Sequence, residues 1–409
     1  MRSAGLVLCG AFAAWATTTP GAAQTTAPTP ESSPAATNRF DIGANARVSY
    51  DSNVARSGAA LAASRGIKPQ DEIFTPRLSI DMAKPVGALS VLVKGGIGYD
   101  FYRRNEHLNR EQIDLSSGLA GNFDYCNATL TGNLARHQSD LLELAQSVTE
   151  NVETVTSVSL NALCGRATGL VPAFSATQQW WRNSAALVTT SDFNSFSSTA
   201  GVGYRSPGVG ELSIFGRFEE TDFPHRFILV GSDLIKDSYQ IYAAGLRWDK
   251  SLGPYLEIVL SPLYTSLRPG LPGATGFEGT SYEAQLTVRP TPLLRGSFAF
   301  QRSPVPTMRH DVTFSLSESY SAIVDYTISP QWTFEFGGLV DKQNFKGVAL
   351  VNGVDISHET IDAVFASIRY TLRGRYSLSL DVRREDRDAN LTDFNYKTYI
   401  VGLAAEIAF

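Results

Sequence analysis

From Phe40 to Phe409 apolar and polar residues alternate with a period of two. The segments are about a dozen residues long and end in polar or Gly/Pro-rich punctuation. The last segment is the clearest: Tyr399, Val401, Leu403, Ala405, Ile407 and Phe409 fall on one face, and Gly402, Ala404, Glu406 and Ala408 on the other. Leu78, Ile80 and Met82 alternate in the same way with Arg77, Ser79 and Asp81, and Trp332, Phe334 and Phe336 with Thr333, Glu335 and Gly337. Leu378, Leu380 and Val382 oppose Ser377, Ser379, Asp381 and Arg383. A tilted strand of this length crosses a bilayer. Each segment has one apolar face, so one side meets lipid and the other water. A soluble sandwich would alternate too, but it would need a dry inner face in each sheet.

The connections alternate in character. Lys84-Pro85-Val86-Gly87, Ser206-Pro207-Gly208, Pro290-Thr291-Pro292, Ser329-Pro330 and Arg373-Gly374 read as tight turns. Longer polar stretches lie between them: Asp51 to Glu72, Ser139 to Asn151, Asp222 to Lys236, Arg268 to Gly279 and Lys346 to Ser357. Short turns on one side and long loops on the other suit a bacterial barrel. The expected fold is all-β, a single transmembrane antiparallel up-and-down barrel over residues 40–409. It should have about eighteen strands, with sixteen as the alternative; the pattern is weakest at Gly169 to Trp181 and at Phe196 to Gly208.

Composition supports this. After the N-terminus no run of about eighteen apolar residues occurs, the mean hydropathy is −0.09 and only 18% of residues are charged. Without transmembrane helices, only a closed barrel satisfies the backbone in lipid. The N-terminus reads as a signal peptide over residues 1–23: basic Arg2, an apolar run from Ala4 to Ala16, and a small-residue cleavage site at Pro20-Gly21-Ala22-Ala23. A lipoprotein signal at Cys9 is disfavoured by the bulky Leu8 and the few residues before it. Residues 24–39, rich in Thr, Ser, Pro and Ala, read as a disordered periplasmic leader. The expected location is the outer membrane of a Gram-negative-type bacterium. The formal charge is −5, and nothing points to nucleic acid.

Two cysteines remain in the mature chain, Cys126 and Cys164. They lie at equal distances from a loop midpoint near Ala145, and each shares parity with the apolar set of its strand. They should face each other at the periplasmic end of one hairpin and form a disulfide in an oxidising compartment. Two free thiols on a lipid-facing rim are the alternative.

With apolar faces toward lipid, the opposite parity places Arg47, Arg77, Asp81, Lys94, Asp100, Arg217, Glu219, Arg247, Glu257, Glu283, Arg289, Arg295, Glu335, Asp341, Arg369, Asp381 and Arg383 in the interior. Such groups are not left dry and unpaired, and barrels of this size enclose water. Both signs occur, so no ion preference follows. Tyr99, Phe101, Trp248, Tyr255, Trp332, Tyr370 and Tyr376 near strand ends suit interfacial girdles. Trp180 and Trp181 are adjacent and point to opposite faces, which offers one indole to the lumen as a sugar-stacking surface. Gly95-Gly96-Ile97-Gly98 sits in a strand and reads as relief for curvature or close packing, not as a phosphate loop.

The terminal Phe409, with apolar residues at every second position back to Tyr399, resembles the C-terminal signature read by the bacterial barrel-assembly machinery. At the other end, Tyr50-Asp51-Ser52-Asn53-Val54-Ala55-Arg56 resembles the opening of the β-barrel porin-2 family, whose members include proteins encoded in exopolysaccharide operons. Locally, Asp51 and Asn53 read as an Asx-type turn at the loop entrance. The five histidines, His107, His137, His225, His310 and His358, lie near expected loops, and no Ser-His-acid spacing or H-x-x-x-H pair accompanies them. Two readings of different class follow. One is a passive channel for small hydrophilic solutes, saccharides among them, needing no cofactor. The other is an accessory barrel acting with polysaccharide-export proteins. An outer-membrane enzyme is a third, for which no catalytic cluster is evident.

Overall fold

The structure, a computed structural model, describes residues 38–139, 150–230, 232–306, 314–346 and 357–409. The expected signal peptide and almost all of the leader lie outside the described residues. Eighteen antiparallel strands follow in chain order. They are β1 Arg39–Asp51, β2 Asp71–Val86, β3 Leu89–Tyr102, β4 Arg110–Phe123, β5 Cys126–Gln138, β6 Val152–Cys164, β7 Gly169–Asn183, β8 Phe193–Ser206 and β9 Gly210–Val230. The second half comprises β10 Asp233–Leu252, β11 Leu256–Pro269, β12 Phe277–Thr291, β13 Leu294–Pro306, β14 Phe314–Thr327, β15 Trp332–Lys346, β16 His358–Leu372, β17 Tyr376–Ala389 and β18 Tyr396–Ala408. Each strand pairs with its sequence neighbours, and β1 pairs with both β2 and β18, so the sheet closes on itself. Closure leaves no sheet edge to lipid.

The period-two pattern becomes two surfaces. Val48, Phe74, Leu78, Ile97, Ile214, Leu246, Phe336, Leu380 and Leu403 are exposed on the outer wall. Their register partners continue the same face, as in Val48↔Phe74, Leu78↔Ile97 and Leu380↔Leu403. Aromatic side chains bound this apolar band. Tyr125, Tyr255, Trp332 and Tyr376 are exposed near the short turns, and Tyr50, Tyr99, Phe101 and Tyr399 near the opposite end. Trp332 packs on Tyr370 with ring centroids 4.8 Å apart, and the Trp248 indole N–H donates to the Val209 carbonyl at 2.9 Å. Tyr399 and Phe409 are ten positions apart. At ~3.3 Å per residue and a tilt of ~40° that distance covers about 25 Å, the height of an outer-membrane apolar band.

The short turns carry the strain that tight reversal demands. Arg373 and Gly374 both have positive φ, 53° and 67°, and the Arg375 N–H donates to the Leu372 carbonyl at 3.2 Å. Two left-handed central residues match the right-handed twist of flanking strands. The first turn is tighter than expected, since Lys84, Pro85 and Val86 still belong to β2 and only Gly87 and Ala88 reverse the chain.

One expected loop is a strand. Asp222 to Lys236 forms the upper part of the β9–β10 hairpin, paired to its tip at Val230↔Asp233, with a bulge between Lys236 and Ser238. Beyond the lipid, neither face of a hairpin has to be apolar, so the segment mixes apolar residues, Pro224 and charges without a sustained alternation. Arg226 pins this extension. Only 3% exposed, it lies 3.3 Å from Asp237, stacks its guanidinium 3.7 Å from the Phe223 ring centroid, and donates to the Thr190 carbonyl at 3.1 Å. Burial pushes the Asp237 carboxyl above its ordinary range, against the pull of Arg226.

The barrel interior as candidate functional site

All seventeen charged residues expected in the interior lie on strands with their parity opposite to the exposed apolar set. Register carries this from strand to strand, for example Arg47↔Thr75, Asp81↔Lys94, Arg217↔Ala243, Ser261↔Glu283, Arg295↔Asp325, Ser319↔Asp341 and Phe365↔Arg383. Many are paired. Arg47 makes two hydrogen bonds to Asp381, one of 2.7 Å, while Arg77 pairs with Asp114 and Arg39 with Asp81. Asp100 accepts from the hydroxyl of Thr75 and the amide of Gln112. Asp341 accepts from Ser317 at 3.1 Å and Gln343 at 3.2 Å. Looser pairs lie toward the short turns: Arg289–Glu257 at 3.6 Å, Arg369–Glu406 at 3.8 Å and Arg247–Asp249 at 3.9 Å. Half-exposed pairs of this kind contribute only ~0–1 kcal/mol each to stability.

Arg217, Glu219 and Glu283 line a shallow recess together with Thr265, Ser281 and Gln301. Lys94 and Arg295 are exposed. Glu335 faces Ser367 across β15 and β16. Sequence reading missed several partners on the same face, including Asp51, Asp114, Glu359, Glu385 and Arg387. The signal was present for some of them, since Asp114 opposes the parity of Ile113 and Leu115, and Glu385 and Arg387 continue that of Asp381 and Arg383.

The connection between β1 and β2 narrows the long-loop end. Asp51 accepts from the Asn53 N–H at 2.8 Å, the Thr398 hydroxyl at 2.7 Å and the Arg56 guanidinium at 2.8 and 3.1 Å. Asn53 in turn donates its side-chain amide to the Ser57 carbonyl at 3.1 Å. The Asx-type turn read in the sequence is therefore one part of a larger latch. Burial disfavours charge on Arg56, yet Asp51, with Glu385 at 3.9 Å, holds its pKa well above the usual value. Beyond the latch, helix α1 (Ala59–Ser64) buries Leu61 and Ala62. Val54, Ala55, Ala62 and Ile67 pack with Leu108 between β3 and β4, and with Val188 between β7 and β8. Leu61 packs with Ala389 and Phe394 at the β17–β18 end. One connection thus touches three others around the rim.

Trp181 does lie on the inner face, paired by register with Val155 and Phe193. Sugar stacking on it is excluded by packing. The indole is 2% exposed and lies against Phe193, ring centroids 5.5 Å apart and 21° from parallel, in a cluster with Phe223, Tyr239 and Ile241. At this height the inner wall is covered by the hairpin and the β7–β8 connection, so the aromatic face is spent on internal contact.

Cys126 and Cys164 are register partners and are joined by a disulfide, Cα–Cα 4.0 Å, on the outer face beside the short turns. The Phe409 N–H donates to the Ile42 carbonyl at 2.8 Å, so the chain terminus is tied to the first strand. Of the histidines, His137 lies 3.7 Å from Glu153, His225 3.3 Å from Asp192, and His358 3.1 Å from the Ser357 hydroxyl. His107 is in a 3₁₀ turn, and His310 lies outside the described residues. Among the described residues no group of three or more His, Cys, Asp or Glu could hold a metal ion.

Residues 272–409 match the family described as Putative beta-barrel porin 2. No curated protein matches the sequence. Among solved structures, the FrpB iron transporter of Neisseria meningitidis superposes with a TM-score of 0.51 at 8% identity, over 85% of this chain and 62% of that one. The chain therefore spans less than two thirds of FrpB. OccK2 (OpdF) of Pseudomonas aeruginosa gives 0.48 at 11% identity over 90% and 98% of the two chains. The outer membrane protein opdK of the same organism gives 0.46 at 10% identity over 91% and 99%. At such identities the likeness is one of fold. The chain is a bacterial outer-membrane β-barrel that resembles the Putative beta-barrel porin 2 family over residues 272–409.

Proposed function

We propose that this barrel is a water-filled channel for passive passage of small hydrophilic solutes, saccharides among them, with lumenal charges shaping the field and no covalent chemistry. The observation that carries the reading is the inner wall of an eighteen-stranded closed sheet, set with charges of both signs around most of its circumference and interrupted by the apolar cluster of Trp181, Phe223 and Ile241. A barrel of this size has room for water beside its side chains, and water removes the cost of leaving Lys94 and Arg295 in the interior. The signal peptide over residues 1–23 and the leader over 24–39 belong to the same reading, as the route of export. Conductance of the purified barrel in a planar bilayer tests it: stable unitary steps are expected, and a folded barrel that never conducts refutes it.

A second reading is favoured by the packed β1–β2 connection at the rim. A connection packed against three others at the rim suits an accessory barrel that works with polysaccharide-export proteins. Such a barrel would be silent in bilayers and would retain periplasmic polymer-handling proteins on affinity purification.

A further inference from the structure

The inner wall is chemically divided. On the sector running from β17 through β18 and β1 to β4, carboxylates and guanidinium groups pair with one another, as in Arg47–Asp381 and Arg77–Asp114. On β5 to β8 the register instead aligns Thr131, Ser159, Thr177 and Ser197 in one row across four strands. The rows one step above and one step below on the same face consist only of Ser, Thr, Asn and Gln. Charge returns at β9, where Thr199 faces Arg217 and Ser197 faces Glu219. Every side chain in the three rows is half-buried or exposed, so the wall is wetted.

We infer that this uncharged wall is a binding track for neutral, polyhydroxylated solutes, that is, oligosaccharides without carboxylates or phosphates. The inference rests on the channel reading above and names the solute class. Each hydroxyl has one donor and two acceptor positions, and each amide two of each. Contacts within the wall use only part of that capacity: Thr177 donates to Ser159 at 3.0 Å and Asn133 to Ser157 at 3.2 Å. Neighbours across strands are ~4.8 Å apart, so one sugar ring meets several groups at once. A neutral polyol exchanges hydrogen bonds to water for hydrogen bonds to the wall with a small gain of about 1 kcal/mol each, about 5-fold in affinity. An ion gains nothing comparable along β5 to β7, because the rows themselves carry no charge. Many weak, equivalent contacts hold a solute long enough to guide it and release it readily, which passage requires.

The test measures two quantities on the same purified barrel: binding of maltohexaose by saturation-transfer NMR, and block of ion current by maltohexaose and by hexagalacturonate. Maltohexaose is expected to bind and to block more strongly than the charged oligomer. Thr177→Val and Gln179→Leu are each expected to weaken binding and block about 5-fold, the value of one hydrogen bond. Because each changes a single wetted side chain, folding is checked by heat-modifiable gel mobility, and Ser197→Ala serves as a third variant if either fails to fold. Conductance with sugar binding that none of the variants changes overturns the track and leaves the channel standing. Binding lost in the variants of a non-conducting barrel supports the track and overturns the channel.

Discussion

Arg47 reaches across β18 to Asp381 by passing over Gly402. A Cβ at Gly402 would fall within the Arg47 guanidinium, and Gly402 is the register partner of both Asp381 and Ser49. The same device recurs on β2 to β4, where Arg77 crosses Gly96 to Asp114, and Gly96 pairs with Ser79 and Asp114. In each case an inward glycine lets one ion pair bridge three strands, and the first of these lies at the seam where the barrel closes. Gly402→Val is expected to displace Arg47, leave Asp381 without its bidentate partner and destabilise the barrel by ~1–3 kcal/mol. Urea unfolding in detergent measures this, and an unchanged midpoint would show that the seam does not depend on the bridge.

The latch at the rim gives a second expectation. Arg56→Ala removes the guanidinium held by Asp51 and leaves a buried carboxylate to be solvated. The β1–β2 connection should loosen, with faster proteolysis within residues 52–70 and a larger unitary conductance. Equal cleavage and equal conductance in the variant would mean that apolar packing of Val54, Ala62 and Leu108 alone holds the connection.

The disulfide joins residues 38 positions apart. In the chain-entropy model such a closure is worth at most ~4 kcal/mol, and the hydrogen-bonded hairpin around it does not require it. Cys126→Ser with Cys164→Ser is expected to assemble in the membrane but melt at a lower temperature. Peptide mapping of the native protein without reductant should recover the two cysteines in one cross-linked pair; two free thiols would contradict the assignment.

Removing Phe409 tests the assembly signal. The residue is exposed at the barrel base, where its backbone N–H bonds to Ile42. Loss of one terminal bond costs the finished barrel little, about 1 kcal/mol, whereas loss of a recognition group should sharply reduce the amount reaching the outer membrane. Normal membrane levels of the truncated chain would remove Phe409 from that role.

Much of this architecture was legible because lipid imposes a rule on every spanning residue. Leu378, Leu380 and Val382 must face out, so Asp381 and Arg383 must face in, and strand number follows from the repeat. Beyond the lipid the rule lapses. Asp222 to Lys236 mixes apolar residues such as Phe227 and Leu229 with Pro224, Gly231 and charges in no clear period of two and reads as loop, although it pairs as strand and Arg226 stacks on Phe223. Alternation shows that one of Trp180 and Trp181 faces inward but not which; it is Trp181, and its burial depends on the β7–β8 connection and the hairpin folding over it, which no local pattern encodes. The same holds for the rim, where Val54 and Ala62 look like ordinary loop residues until Leu108 and Val188 are brought against them.

Whether the lumen is open is decided by single-channel recording of the refolded barrel. Stable unitary steps are expected in a planar bilayer, with steps that change in size when Arg56 is replaced. A barrel shown to be folded by its heat-modifiable mobility, yet electrically silent both as the native protein and as Arg56→Ala, would contradict an open lumen.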